Sequence, residues 1–137
     1  MQRKEFINRF MMLAAGCVSV DVLAGCTSLP IVSHVRDGSK AIVTKSSFAD
    51  KEYVLIEVDE LPAPVFISRQ NEEEYAAVLL KCTHRGCQVQ PAGEIMECPC
   101  HGSRYSRTGS VIRGPAPKDL VQYPTEVTSD SIRVLVS

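Results

Sequence analysis

Two short stretches decide the fold of this chain: Cys82-Thr83-His84-Arg85-Gly86-Cys87 and Cys98-Pro99-Cys100-His101-Gly102-Ser103-Arg104-Tyr105. Together they contain four of the six cysteines and two of the three histidines. Each stretch offers one cysteine–histidine pair at close spacing and one additional cysteine. Two thiolates and two imidazoles suit either a tetrahedral zinc ion or an iron–sulfur cluster. The sequence therefore predicts a metal centre that is built from two loops.

Three features of the two stretches count against zinc. The Cys-x-His spacing of the first stretch is tighter than the roughly two to four residues that separate the ligands of a zinc knuckle. A zinc site of two cysteines and two histidines would leave Cys87 and Cys100 without a role. The glycines Gly86 and Gly102 allow the backbone to approach sulfur closely and to donate hydrogen bonds to it. On residue types alone, a structural zinc site stays open as an alternative.

The two stretches resemble those of the Rieske iron–sulfur family, most closely its high-potential branch, found in quinol-oxidising cytochrome bc complexes. The segment Gly114-Pro115-Ala116-Pro117 is similar to the proline loop that covers the cluster in that branch. The resemblance extends over residues 75–120. It implies an all-β fold, a Rieske-type antiparallel β-sandwich or small barrel with a cluster-binding loop subdomain. It also implies one [2Fe–2S] cluster per chain.

The resemblance implies four metal ligands. Cys82 and Cys98 would bind one iron, and His84 and His101 would bind the other. Replacing two thiolates by neutral imidazoles on one iron raises the reduction potential. The family range is about −150 to +300 mV, and we expect a potential in its upper part.

The resemblance also implies roles for four neighbouring residues. Cys87 and Cys100 would form a disulfide between the two loops, a pair that Rieske-type ferredoxins of ring-hydroxylating oxygenases generally lack. Ser103 would donate a hydrogen bond to a bridging sulfide, and Tyr105 to a cysteine sulfur. Both hydroxyls would withdraw electron density and so favour the reduced state. A disulfide fits a protein that works outside the reducing cytoplasm.

The rest of the chain predicts antiparallel β-structure. Its 137 residues, 45% hydrophobic and 23% charged, suit one globular domain. Short runs rich in Val, Ile, Leu and Tyr alternate with turn residues, a pattern typical of a sandwich or small barrel. For residues 75–80 a buried strand is favoured over a helical turn at 72–77. The predicted strands are 40–46, 53–58, 65–69, 75–80, 93–97, 121–127 and 131–136.

The N-terminal residues predict an export signal. A basic segment precedes an apolar run, which is the layout of a secretory signal peptide, and Asp21 would make a retained membrane span costly. Leu23-Ala24-Gly25-Cys26 resembles the lipobox of bacterial lipoproteins, so Cys26 is predicted to carry lipid. The predicted organisation is a signal peptide at 1–25, a lipidated tether at 26–40 and a Rieske domain at 41–137. The protein is expected on the periplasmic or extracytoplasmic face of a bacterial membrane.

These features predict a one-electron carrier that is not catalytic alone. It would belong to a quinol-oxidising respiratory complex, with a quinol or redox-protein donor and a cytochrome-type acceptor. The alternative is the electron-transfer small subunit of an extracytoplasmic molybdenum oxidase, or a stand-alone relay. Arg85, where quinol-oxidising relatives usually have Leu, and the short link 88–97 favour this alternative. A structural zinc-binding lipoprotein is the third hypothesis.

The charges near the cysteine–histidine stretches predict one more feature. The net charge of −1 excludes the global basic field that holds a protein on nucleic acid. Basic residues nevertheless surround the expected cluster, and they indicate either docking on an acidic partner or scattered solvated charge. They are Arg85, Arg104, Arg107, Arg113 and Lys118.

Overall fold

The structure, a computed structural model, describes residues 28–137. In this range the regular secondary structure consists of twelve strands and one turn of 3-10 helix at Lys45–Ser47. No helix among these residues is long and apolar enough to cross a bilayer. The predicted signal peptide and Cys26 lie outside the described residues. The strands are β1 (Val35–Asp37), β2 (Lys40–Thr44), β3 (Tyr53–Ile56), β4 (Val65–Arg69), β5 (Tyr75–Leu79), β6 (Gln90–Ala92), β7 (Ile95–Glu97), β8 (Arg104–Ser106), β9 (Val111–Arg113), β10 (Gln122–Tyr123), β11 (Thr125–Val127) and β12 (Ser131–Leu135).

The strands form three four-stranded antiparallel sheets. The first has the order β1-β2-β12-β11, the middle one β10-β5-β4-β3, and the third β6-β7-β8-β9. The paired strands run antiparallel throughout, so the prediction of an all-β antiparallel fold is confirmed.

The middle sheet is buried on both of its faces. Val54 and Ile56 of β3 belong to an apolar cluster that includes β2 and β12 of the first sheet, which we call the base core. Leu55, between them, belongs to a second cluster with Met96 and Tyr105 of the third sheet, which we call the site core. Successive side chains of a strand point to opposite faces, so a strand covered on both sides is apolar at every position.

The third sheet packs closely on the middle sheet where β8 turns into β9. Gly109 lies in this turn with a φ of +92°, a conformation that glycine adopts without strain. A Cβ atom at this position would lie 2.9 Å from the Cγ1 atom of Val78 and 3.3 Å from the Cβ atom of Leu120. Position 109 therefore has no room for a side chain larger than the hydrogen atom of glycine. The carbonyl of Gly109 also accepts a hydrogen bond of 2.9 Å from the N–H of Leu120, a residue of the site core.

The structure differs from the predicted tether at 26–40. Val35–Asp37 pairs with β2 as the edge strand β1. Upstream of it, Leu55 exchanges backbone hydrogen bonds of 2.9 Å with Pro30 and Val32. These residues are attached to the domain because the edge of β3 offers unpaired backbone groups. Any linker through the predicted tether is therefore shorter than its full range.

Candidate metal centre

Loop 1, residues 82–87, connects β5 to β6 in a tight reversal. The backbone N–H of Gly86 donates to the carbonyl of Cys82 at 2.9 Å, and the N–H of Cys82 donates to the carbonyl of Cys87 at 2.8 Å. Gly86 has a φ of +79°, in the left-handed region. The glycine in this stretch is therefore needed for the turn itself.

Loop 2, residues 98–103, connects β7 to β8 and repeats the geometry of loop 1. The N–H of Gly102 donates to the carbonyl of Cys98 at 2.9 Å, and the N–H of Cys98 donates to the carbonyl of Ser103 at 2.8 Å. Gly102 has a φ of +78°, within one degree of its counterpart in loop 1. The two similar sequence stretches thus fold into two similar loops.

A disulfide joins the two loops. Cys87 of loop 1 and Cys100 of loop 2 are bonded, with Cα atoms 6.5 Å apart. Cys82 and Cys98 remain as buried thiols beneath the loops. The structure thus separates the four cysteines into one bonded pair and two thiols.

The two loops bring His84 and His101 together. Their ring centroids lie 4.8 Å apart, with the rings nearly perpendicular. His101 is exposed and His84 is half-buried. The Nδ1 atom of His84 is itself buried and has no hydrogen-bond partner among the described residues. A buried ring nitrogen without a partner is costly unless a metal ion or water satisfies it. Two neighbouring imidazoles, on loops that also contain two buried thiols, therefore fit the donor set of a Rieske-type cluster.

The two thiols lie in different electrostatic surroundings. Burial acts to raise the pKa of the Cys82 thiol, but hydrogen bonds from Tyr105 and from the backbone of His84 outweigh it and leave this pKa lowered. Burial raises the pKa of the Cys98 thiol. Burial also raises the pKa of Tyr105, which keeps its hydroxyl protonated. The surroundings of Cys82 thus favour the thiolate, which is the metal-binding form of cysteine.

Tyr105 lies directly below loop 1. Its Oη atom is 3.3 Å from the Sγ atom of Cys82 and accepts a hydrogen bond of 3.2 Å from the backbone N–H of Thr83. Because this N–H occupies one acceptor direction of the phenol oxygen, the phenol proton is available to the cysteine sulfur and to the Oγ1 atom of Thr83, which lies 3.4 Å away. The side chain is fully buried in the site core, which fixes its position.

A third segment, the proline loop at residues 114–117 with Lys118 directly after it, is attached to loop 1 and to loop 2. The N–H of Ala116 donates to the Oγ atom of Ser103 in loop 2 at 3.0 Å. The hydroxyl of Thr83 in loop 1 donates to the carbonyl of Lys118 at 2.6 Å. The Ser103 oxygen accepts in this contact, so its own proton is available to a partner in the site. Sequence reasoning missed Thr83, whose position between two ligand candidates was the only signal.

Two of the five basic residues named from the sequence are neutralised by acidic neighbours. Arg104 forms an ion pair with Glu97 at 2.9 Å. Arg107 lies outside loops 1 and 2 and forms ion pairs with Glu52 and Glu94. The remaining three, Arg85, Arg113 and Lys118, are exposed and form no ion pair within residues 28–137.

The chain is similar in sequence to a known family and to curated proteins. Residues 38–124 match the family model described as Rieske [2Fe-2S] domain. The cytochrome b6-f complex iron-sulfur subunit of Synechococcus sp. (strain JA-3-3Ab) is 52% identical over 54 residues, 38% of this chain and 31% of that protein. The subunit of the same name from Desmonostoc sp. (strain PCC 7906) is 30% identical over 119 residues, 85% of this chain and 60% of that protein. The chain thus spans 31% and 60% of the lengths of these two relatives.

Solved structures share the fold. The cyanobacterial plasma membrane Rieske protein PetC3 from Synechocystis PCC 6803 superposes with a TM-score of 0.58 at 34% identity, covering 66% of this chain and 93% of that one. The ferredoxin of carbazole 1,9a-dioxygenase from Nocardioides aromaticivorans IC177 gives a TM-score of 0.52 at 22% identity, covering 77% of this chain and 100% of that one. The second similarity shows a common fold alone.

Proposed function

This chain belongs to the Rieske [2Fe–2S] family, and from that membership we propose that it is the electron-transfer subunit of a membrane-bound quinol-oxidising complex. The cofactor of the family is a [2Fe–2S] cluster, which replaces the zinc hypothesis. In this proposal Cys82 and Cys98 hold one iron and His84 and His101 hold the other. The paired imidazoles and the two buried thiols described above support this assignment.

The disulfide is the observation that carries the proposal. Cys87 and Cys100 bond the two loops at the point where Rieske-type ferredoxins of ring-hydroxylating oxygenases generally have no such pair. This feature supports assigning the chain to the high-potential branch, in which quinol is the electron donor. The similarity to cytochrome b6-f iron-sulfur subunits supports the same reading.

The residues of the site suggest how the protein performs this role. When bound, the cluster supplies a one-electron couple. His101 is exposed, so its ring is the point at which a quinol donor or a cytochrome-type acceptor makes contact. Cys82 and Cys98 lie on the buried side, where the apolar site core excludes water. The disulfide and the proline loop hold the two loops together, which limits their rearrangement during electron transfer.

A change at Tyr105 tests the tuning of the couple. We expect Tyr105→Phe to lower the reduction potential by about 40 mV, because it removes one hydrogen bond of about 1 kcal/mol from Cys82, and 59 mV corresponds to a tenfold change for a one-electron couple. Electrochemical titration of the purified protein measures the shift. Tyr123→Phe, in β10 and away from both loops, is the matched control and should leave the potential unchanged. An unchanged reduction potential in Tyr105→Phe would show that the hydroxyl of Tyr105 does not tune the cluster.

The proposal extends to the cellular location. Residues 1–25 would direct export, and Cys26 would carry the lipid that anchors the protein at the extracytoplasmic face of a bacterial membrane. Two observations support this: the lipobox-like sequence and the disulfide, which persists in oxidising compartments. The folded domain, which includes β1 and the residues bonded to Leu55, would then reach its partners through the few residues between Cys26 and Pro30.

One observation favours the second candidate function, the small subunit of an extracytoplasmic molybdenum oxidase. Arg85 is exposed next to His84, at the position where quinol-oxidising relatives usually carry Leu. A charged side chain beside the ligand pair suits a protein donor better than an apolar quinol. In both functions the chain passes single electrons and depends on a larger partner for bond chemistry.

Purification from native membranes distinguishes the two candidates. Tagged full-length protein, extracted from its source in mild detergent, should retain b-type and c-type cytochromes, and added quinol should reduce its cluster. Stoichiometric molybdenum without these cytochromes would establish the alternative. A cluster-loaded chain with neither partner would contradict both and leave a stand-alone relay. The intact mass of the same preparation tests lipidation at Cys26.

A further inference from the structure

The end of the molecule that carries the histidines is formed by three segments, 81–87, 98–104 and 111–118, which we call the tip. They are joined by the disulfide and by the hydrogen bonds that Thr83 and Ser103 make with the proline-loop segment. These three ranges contain five basic residues and no acidic residue, while Glu97 and Asp119 directly adjoin them. The carboxylate of Asp119 accepts a hydrogen bond of 2.8 Å from the N–H of Val111. The basic residues are Lys81, Arg85, Arg104, Arg113 and Lys118.

The charge of the domain is therefore strongly asymmetric. Residues 28–137 contain 12 basic and 14 acidic side chains, a net charge of −2. Because the tip accounts for five of the basic side chains, the rest of this range has an excess of seven acidic ones. The protein is thus acidic as a whole and basic at the one end where an electron can leave or enter.

Most of the tip charge is available to a partner. Only Arg104 is paired within the described residues, with Glu97. The other four are exposed. Lys81 and Arg85 belong to the segment that contains loop 1, and Arg113 and Lys118 belong to the segment that is bonded to Thr83 of loop 1. The side chain of Lys81 runs along Gly86, where a Cβ atom would lie 3.2 Å from the lysine Cε atom. The lysine side chain therefore lies beside loop 1.

An apolar hollow lies beside loop 1, between two of these basic residues. It has a volume of about 380 Å³, and its lining includes His84, Leu79 and Val121 together with Lys81 and Arg85. Val121 is 51% exposed, so part of this apolar side chain faces solvent. Protein interfaces commonly combine a small apolar centre with a polar or charged rim, and this hollow with its basic border has that composition.

We propose that the tip docks onto an acidic face of a redox protein, a face that surrounds the partner's own exposed cofactor. This inference rests on the proposed electron-transfer role and adds the charge of the partner. The acidic remainder of the domain repels such a face while the basic tip attracts it, so the encounter is oriented with the histidines forward. Electrostatic steering of this kind raises association rates by about 10- to 1,000-fold at low ionic strength. A lipid surface is disfavoured as the occupant, because it would cover the exposed His101.

The test uses the holoprotein with two small c-type cytochromes of similar potential, one of net negative and one of net positive charge. Stopped-flow oxidation of the reduced cluster should be at least tenfold faster with the negative cytochrome at low ionic strength, and this advantage should disappear as salt rises. The variant Arg113→Glu/Lys118→Glu should lose the advantage. The control Lys45→Glu/Lys51→Glu makes the same change in net charge outside the tip, and it should keep the advantage.

Three outcomes would overturn the inference: equal rates with the two cytochromes, an equal loss in the control variant, or binding of anionic phosphatidylglycerol vesicles through Arg113 and Lys118 that blocks oxidation. The cluster spectrum and potential of each variant show whether its site is intact. Failure here would leave the quinol-oxidising role untouched, because that role is tested by co-purifying cytochromes and by reduction with quinol.

Discussion

Replacement of His101 by alanine is expected to abolish the cluster. The change removes one of the two imidazoles that are proposed to hold one of the irons. His101 is exposed, and substitutions at exposed positions usually change stability by less than about 0.5 kcal/mol, so the fold should survive. Iron and sulfide should fall from a full cluster per chain to near zero, with loss of the EPR signal of the reduced protein.

The third histidine provides the control for this experiment. His34 lies just before β1, half-buried and away from both loops, so His34→Ala should keep its iron and its EPR signal. Circular dichroism should show the same β-structure in both variants. Full iron in His101→Ala would contradict the ligand assignment, and loss of iron in both variants would show that the assay reports on general stability.

Removal of the disulfide has the second largest expected effect. Cys87 and Cys100 are separated by 13 positions in sequence, and a bond that closes a loop of this length contributes about 3 kcal/mol by restricting the unfolded chain. The variant Cys87→Ser/Cys100→Ser should therefore lose about 3 kcal/mol of unfolding free energy. The two loops would then be connected through their hydrogen bonds to the proline-loop segment and no longer by a covalent bond. Iron should therefore pass to a chelator faster than in the native protein. Denaturant titration and the rate of iron release measure the two effects.

The single variants identify the bond as the cause. Cys87→Ser and Cys100→Ser each break the same disulfide, so each should cost about as much as the double change, and the effects should not add. A double variant with native stability and native iron release would refute the structural role of the disulfide. Additive losses would assign the effect to the separate side chains.

The strands that could be predicted from sequence are those whose burial leaves a clear pattern. Strands β2 and β12, which have alternate buried positions, were predicted within two residues of their observed bounds. Strand β4 was predicted with its observed bounds, and β3 and β5 within two residues, because their continuous apolar runs reflect burial in the base core and the site core. Strands β1, β6, β8 and β9 were missed. Each has only three residues, and β6 includes a proline, so none carries a periodic pattern long enough to detect.

The predicted segment 121–127 shows a different limit. It divides at Pro124 into β10 of the middle sheet and β11 of the first sheet. The apolar and β-branched residues around the proline indicate strand on both sides of it. They carry no information about which sheet each half joins, because pairing depends on β5 and β12, which are distant in sequence.

The cysteines and histidines of the candidate site were easier to predict than the hydrogen bonds and ion pairs around them. The two motifs identified the cysteines and histidines that the structure brings together, since their spacing reflects two repeated loops. The contact between Thr83 and Lys118 could not be predicted, because it depends on how the segment after β9 returns over the loops. The sequence likewise could not separate Arg104 and Arg107 from the unpaired basic residues, since their acidic partners are set by strand register and tertiary packing.

Pulsed EPR on the reduced full-length protein tests the central claim most directly. If His84 and His101 bind one iron of a [2Fe–2S] cluster, the spectrum shows hyperfine couplings to two coordinating imidazole nitrogens, and labelling histidine with ¹⁵N shifts both. A cluster with no nitrogen coupling would require four thiolate ligands and contradict the site described here. A protein that contains zinc and no iron would contradict the account altogether.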